Sequence, residues 1–308
     1  MDRVLRIGTR DSELALWQAR KVQSLLEALG YITKLVPVKS QGDLTLDIPL
    51  YAMGITGVFT KVLDIAMLQD KIDIAVHSMK DVPTLLPQGI VKGAVLKRAN
   101  VQDVLVYKEN LDFLTQQEVI IATGSLRRKA QWLRKYPTHT IENLRGNINT
   151  RLQKLEDSSW QGAIFAAAAL ERLNKNQLQV KALDWMTPAP AQGAIMVVAK
   201  QEDAYTREAL ALINDLPTDL ETDIERRFLR RLEGGCTAPI GAKATLEGEQ
   251  LSFVGNLFSL DGKSVSEVKK TIPITAIEDF PEACADEVLY NGGREMMEGI
   301  RKVMNIQK

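Results

Sequence analysis

Short β-branched runs alternate with stretches of helical period over the first two hundred or so positions, a pattern that predicts parallel sheets covered by helices on both faces. Val4–Gly8 reads as the first strand, and Asp11 or Ser12 can cap the helix that follows. In that helix Leu14, Trp17, Val22, Leu25 and Leu29 form one apolar stripe that stops at Gly30. Thr33–Lys39 reads as a strand, Ser40–Gly57 as a loop, the residues near Val58–Leu68 as a helix and Ile72–Val76 as the next strand. The scheme then repeats, with strand Val119–Ala122, cap Ser125, helix Leu126–Tyr136, strand Thr140–Leu144, helix Ile148–Glu156, strand Gly162–Ala166 and helix Ala167–Asn174. Gly8-Thr9-Arg10-Asp11-Ser12 and Ala122-Thr123-Gly124-Ser125 both place a threonine, a short turn and a serine between strand and helix. Two lobes of like architecture are expected.

Lys97–Asp103 leads out of the first lobe, and Thr187–Gly193 leads back into the apolar strand Ala194–Ala199. A chain that crosses twice makes a hinge, and a cleft between such lobes collects strand ends and helix N-termini, which favour anions. From Leu220 the character changes. Leu220, Ile224, Phe228, Leu229 and Leu232 line one helix face that stops at Gly234-Gly235, just before Cys236. Three strand-like segments follow, with hairpin turn signals at Glu247-Gly248 and Asp261-Gly262, and then helices around Phe280–Tyr290 and Arg294–Met304. The predicted division is therefore an α/β lobe of residues 1–96 and 194–214, a second α/β lobe of 100–188, and a small α+β domain of 218–308.

Composition narrows the function. The 308 residues are 45% hydrophobic, enough for a core in each part, and 39 bases offset 39 acids. Within Val119–Leu155, however, eight Lys or Arg residues face a single acid, Glu142. Arg127, Arg128, Arg145 and Arg151 sit where predicted strands end and helices begin, and guanidinium forks aimed at a cleft bind carboxylates or phosphates bidentately. A small, multiply anionic ligand fits this local charge in a neutral protein. No apolar run approaches the roughly 20 residues that span a bilayer, and the charged start MDRVLRIGTR lacks a signal-peptide core, so the expected location is the cytoplasm. Two cysteines and two histidines without Cys-x-x-Cys spacing give no metal motif. No exposed heptad demands a partner, and a monomer is expected.

Several residues carry possible chemistry, each with a plainer alternative. Cys236 follows a double glycine where a thiol can be reached, yet cysteine is also a common small buried residue. Cys284, inside Ala283-Cys284-Ala285, reads as core. Asp81 lies just past a strand, at the sheet edge where α/β active sites form, while Ser78 and Asp81 also match a Ser-x-x-Asp capping box. The arginines of the basic stretch can equally be solvated helix faces. Arg145 before Gly146 and Arg10 between Thr9 and Asp11 are better candidates, since strand-end turns need no cation. Gly42–Gly57 lacks a phosphate-loop pattern and reads as a mobile cover.

Taken in order, RIGTRDSELALWQAR (6–20), DIAVHSMKDVP (73–83), TGSLRR (123–128), LRGNINTRL (144–152), PAPAQGA (188–194) and EGGCTAPIG (233–241) resemble the porphobilinogen deaminase family, collinearly over nearly the whole chain. The resemblance implies a transferase of tetrapyrrole and haem biosynthesis. Such enzymes join four porphobilinogen units head to tail into hydroxymethylbilane, releasing ammonia at each step, on a covalently tethered dipyrromethane primer. It also implies two doubly wound lobes like type II periplasmic binding proteins, plus the α+β domain. By the same resemblance Cys236 is the thioether anchor of the dipyrromethane and Asp81 the catalytic aspartate. Ser78, Lys80, Asp81, Thr123, Ser125, Arg127, Arg128, Arg145 and Gly146 are implied to hold the cofactor, and Arg10, Ser12, Arg145, Arg151, Arg172 and Gln192 the substrate. A six-pyrrole chain carries about a dozen carboxylates, which accounts for so many cations.

The chain also departs from the family pattern. Where the family commonly writes Ser-Lys-Val-Gly-Gly-Lys-Gly-Leu-Phe, this chain has Tyr51-Ala52-Met53-Gly54-Ile55-Thr56-Gly57-Val58-Phe59, without the two lysines. Gly124 stands for a common serine and Ala191 for a common glycine. Two other classes explain less. A non-catalytic anion-binding protein leaves Cys236 without a purpose, and an RNA-binding module is at odds with zero net charge and little aromatic interleaving beyond Trp132 and Tyr136.

Overall fold

The computed structural model describes residues 3–38, 60–232 and 238–304. In chain order the elements are β1 Val4–Arg10, α1 Glu13–Ala28, β2 Ile32–Val38, α2 Lys61–Leu68, β3 Ile74–Ser78, a 3₁₀ turn Met79–Asp81, β4 Ile90–Leu96 and β5 Asp103–Tyr107. There follow β6 Ile120–Ala122, α3 Leu126–Lys135, β7 Thr140–Glu142, α4 Ile148–Asp157, β8 Gly162–Ala166, α5 Ala167–Arg172, β9 Val180–Ala182, β10 Ile195–Lys200 and α6 Ala204–Ala211. The last are α7 Leu216–Arg231, β11 Ile240–Glu247, β12 Gln250–Phe258, β13 Val265–Pro273, α8 Phe280–Val288 and α9 Arg294–Met304. Among the described residues, no helix is long and apolar enough to cross a membrane.

The chain divides into two compact units. The first holds the described parts of 3–38, 60–99 and 192–220, and the second those of 100–191 and 221–304. The first contains a five-stranded sheet of order β2-β1-β3-β10-β4. The second contains a five-stranded sheet of order β7-β6-β8-β5-β9 and the three-stranded sheet β11-β12-β13. Both five-stranded sheets are mixed, which corrects the expectation of parallel sheets. β1 runs parallel to β2 and β3, but β10 is antiparallel to β3 and β4. Likewise β6 is parallel to β7 and β8, while β5 is antiparallel to β8 and β9. The antiparallel member is in each case the strand adjoining a crossover. A strand that enters at the edge where the parallel strands end must run back against them.

Local chemistry explains the elements. α1 buries Gln18, Ala19, Val22 and Leu26, and the last three pack on Leu5, Ile7, Ile74 and Val76 of the sheet. It ends in a Schellman motif: Tyr31 N–H donates to Leu26 O and Gly30 N–H to Glu27 O, with Gly30 at φ +88°. The second sheet is buried on both faces, by Val104, Phe165, Leu155 and Leu170 on one side and Leu105, Ile164, Trp132 and Met186 on the other. In the third sheet Glu247 pairs with Gln250 across a tight turn that begins at Gly248, φ +60°, as the turn signal predicts.

Candidate active site

In the first unit, β1 and β3 are parallel neighbours, so Arg10 and Ser78 finish at the same sheet edge. β10 begins at that edge, its Ile195 opposite Ser78, and this brings Gln192–Ala194 to the end of β3. The edge therefore gathers Arg10, Ser12, Ser78, Lys80, Asp81 and Gln192, six residues that are scattered in sequence. Met79 N–H donates to Ala194 O at 3.1 Å and fixes the 3₁₀ turn that carries Lys80 and Asp81. Lys80 Nζ donates to Gln192 Oε1 at 3.2 Å. The Ser78 hydroxyl accepts from Gln18 Nε2 at 2.8 Å and makes no side-chain cap bond, so the capping-box alternative does not describe this turn. Asp81 is half-buried, and among the described residues nothing hydrogen-bonds or ion-pairs its carboxylate.

His77, next to Ser78, points to the opposite sheet face, the one that also carries Arg10. It is 6% exposed, and its Nε2 is a buried atom with no partner among the described residues. Burial, with the Arg10 charge as a second cause, holds the imidazole neutral, its pKa pushed down to about 4.

In the second unit, the ends of β6, β7 and β8 open at one edge together with the N-termini of α3, α4 and α5. Ser125 caps α3, its hydroxyl accepting from Arg128 N–H, and its own N–H donates to the buried Thr123 hydroxyl at 3.3 Å. Asn147 caps α4. Between β7 and α4 lie Arg145, 5% exposed, and Gly146 at φ +115°. Arg151 Nε donates to Gly146 O at 2.7 Å. Burial lowers the pKa of Arg145, and lowers that of Arg172, at the end of α5, to about 10 against the opposing Glu171 charge.

Arg127 and Arg128, in the first turn of α3, are turned inward. Asp103 opens β5 opposite Ala166, and its fully buried carboxylate accepts from Arg127 Nη1 at 2.7 Å and Arg128 Nε at 2.9 Å. Arg127 Nη1 also donates to Thr187 O at 2.7 Å, and Arg128 Nη1 to Ile164 O at 2.8 Å. Arg127 Nε is a buried donor with no partner among the described residues. Asp103 escaped the sequence reading because an acid beside Val-Leu-Val gives no hint of which cation it will meet. Gln18 escaped because a polar residue on an apolar helix stripe reads as noise. Cys236 and the 42–57 loop lie outside the described residues.

Two family models match. Residues 5–208 match "Porphobilinogen deaminase, dipyromethane cofactor binding domain" and residues 220–290 match "Porphobilinogen deaminase, C-terminal domain". A protein of Methanocella arvoryzae named "Probable porphobilinogen deaminase" is 38% identical over 305 residues, 98% of this chain and 100% of its own length. The porphobilinogen deaminase of Syntrophotalea carbinolica is 39% identical over 298 residues, 95% of each chain. Among solved structures, an ancestral cationic amino acid solute binding protein aligns over 72% of this chain and 93% of its own at 15% identity, with a TM-score of 0.45.

Proposed function

The chain belongs to the porphobilinogen deaminase family, a transferase of tetrapyrrole biosynthesis with a dipyrromethane cofactor, and from that premise we propose how its residues divide the work. Asp81 is the catalytic carboxylate. Its support is its place in the 3₁₀ turn at the first sheet's edge, half-buried and with no hydrogen bond or ion pair to its carboxylate among the described residues. As ammonia leaves porphobilinogen, positive charge develops on the pyrrole, and a fixed carboxylate stabilises it. The same group moves protons at the amine and at the pyrrole carbon. Arg10, Ser12, Arg151, Arg172 and Gln192 hold the acetate and propionate groups of the substrate, and Arg145 serves both substrate and cofactor.

The donor set at the second sheet's edge fits an acid-rich dipyrrole. Arg127 Nε is a buried donor with no partner among the described residues, burial lowers the Arg145 pKa, and the N-termini of α3, α4 and α5 open at the same edge. Arg127, Arg128, Arg145, Thr123, Ser125 and Gly146 would hold the group there, and the family resemblance assigns cofactor contacts to Ser78, Lys80 and Asp81 as well. Arg127 and Arg128 share one Asp103 carboxylate, so two positive charges less one negative leave a net single positive charge. When bound, the dipyrromethane supplies the pyrrole carbon to which substrate units are added. Cys236 anchors it through a thioether; it belongs to the α+β domain of 218–308, the chain's other domains being the lobes of 1–96 with 194–214 and of 100–188. We place the enzyme in the cytoplasm, because a thioether anchor needs a thiol kept reduced, and read it as a monomer, because the sequence carries no heptad that demands a partner.

Asp81→Ala is expected to abolish turnover of porphobilinogen with the circular dichroism spectrum unchanged; full activity would refute the role. Cys236→Ser should lack the mass of two pyrrole units that intact mass spectrometry finds on the wild type. Equal masses for the two proteins would rule the anchor out.

A further inference from the structure

The return crossover, Thr187 to Gly193, is bonded along its length. Thr187 O accepts from Arg127 Nη1 at 2.7 Å and from Gln131 Nε2 at 2.9 Å, and the Thr187 hydroxyl accepts from Asn256 Nδ2 at 2.7 Å. Pro188 O accepts from Ala242 N–H at 3.0 Å. At the other end Gln192 O accepts from Arg98 Nε at 2.9 Å and Gln192 Oε1 from Lys80 Nζ, while Gly193 O accepts from Ala99 N–H at 3.2 Å. The peptide between Ala191 and Gln192 is where the chain passes from one compact unit to the other.

Ala191 is fully buried and holds φ +60°, a left-handed conformation that a side chain bearing Cβ adopts at a cost. Something must hold it there. Its N–H donates to Glu225 Oε2 at 2.6 Å, and the other oxygen of that fully buried carboxylate accepts from Ala244 N–H at 2.8 Å, on β11. A charged acceptor fixed by a second strong bond makes a rigid clamp on one backbone amide.

We propose that Glu225 is a positioning residue: by holding the Ala191 amide it keeps that residue in its left-handed conformation, and the backbone direction so fixed sets the pose in which the next residue, Gln192, meets Lys80, the neighbour of Asp81. This rests on the roles of Lys80 and Asp81 proposed above. The competing role for Glu225 is to satisfy Ala244 N–H and nothing more. The two roles separate at Ala191, because glycine takes the left-handed conformation without strain and needs no clamp.

The test uses the holoenzyme and a pulse of porphobilinogen, read by steady-state kinetics and by intact mass, which counts the pyrrole units on each chain. Glu225→Gln should keep its covalent dipyrrole, lose kcat on the order of tenfold to a hundredfold, as a misplaced contact does, and accumulate short additions. Adding Ala191→Gly to Glu225→Gln should recover most of that loss. Wild-type kinetics and mass ladder in Glu225→Gln overturn the proposal, and so does a defect that glycine at 191 leaves untouched. Should Glu225→Gln not fold, hydrogen exchange of the wild type decides. The Ala191 amide must be strongly protected and must change its protection when substrate is added, while Ala244 does not; equal, unchanged protection at both overturns it. A wild type that carries no dipyrrole and adds no pyrrole units would defeat the functional reading itself, a result distinguishable from all of these.

Discussion

Asp81 and Asp103 stand at the loaded edges of the two five-stranded sheets, one just after a parallel strand and the other at the start of an antiparallel one, and the protein treats them oppositely. Asp103 is fully buried and accepts from two guanidiniums at 2.7 and 2.9 Å. Asp81 is half-buried, and among the described residues no cation or donor is committed to it. A buried carboxylate is tolerable only when paired, so Asp103 is part of the scaffold that aims Arg127 and Arg128. A half-buried carboxylate without a partner among the described residues, at the edge where strands deliver side chains, is available to a ligand. The comparison teaches that residue type and strand-end position locate a candidate, while the protein's own countercharges decide whether it is available.

The largest expected effect breaks the pair on the scaffold side. Asp103→Asn keeps the shape but leaves Arg127 and Arg128 sharing no carboxylate inside the protein, and removing one partner of a buried ion pair costs about 3–5 kcal/mol. Asp81→Asn removes no hydrogen bond or ion pair among the described residues and should change stability by less than about 0.5 kcal/mol. Urea melts of the two variants against wild type measure both. Equal losses would erase the distinction drawn between the two aspartates.

Much of this edge chemistry was legible from sequence. The strand-threonine-turn-serine pattern put Ser125 at the cap of α3, where it is, and the predicted strand Thr140–Leu144 and helix Ile148–Glu156 left Arg145 and Gly146 in the turn before α4. Asp81 fell at the end of β3 because a buried apolar run has few ways to terminate. What stayed illegible were choices made by tertiary contact. Nothing in Leu126–Lys135 says that Arg127 and Arg128 turn inward while Arg134, on the same helix, reaches Lys263 O at the surface. Nor did the pattern announce that Gly124 is sterically required: a Cβ there would lie 2.5 Å from Leu144 O, backbone that cannot give way easily.

A smaller effect sharpens the Asp81 side, through His77 on the strand that leads into its turn. The native pKa of about 4 lies below the ordinary 6.5, so as pH falls from 6.5 the unfolded chain takes up a proton that the native state refuses. Stability from the neutral imidazole is whole above about pH 6.5 and is lost progressively down to about pH 4. The slope is about 1.4 kcal/mol per pH unit for one proton. His77→Gln should remove that slope, so the wild-type minus variant difference in unfolding free energy should decline over this window and flatten below it. A difference independent of pH would mean that the buried His77 imidazole is not held neutral by its surroundings.

The smallest effect asks whether the edge around Asp81 is truly divided into bonded and unbonded groups. Gln18, 2% exposed on α1, donates to the Ser78 hydroxyl at 2.8 Å. One neutral hydrogen bond contributes about 1 kcal/mol net, so Gln18→Ala and Ser78→Ala should each cost stability but together cost less than their sum, with a coupling of about 0.5–1 kcal/mol. Gln18→Ala combined with Asp81→Asn should be additive within about 0.5 kcal/mol, since no partner joins them. Double-mutant cycles in urea read both couplings on folded protein, independent of turnover. Coupling between Gln18 and Asp81 as large as that with Ser78 would show that the carboxylate belongs to the same network, and the reason given for its being free to act on substrate would be lost.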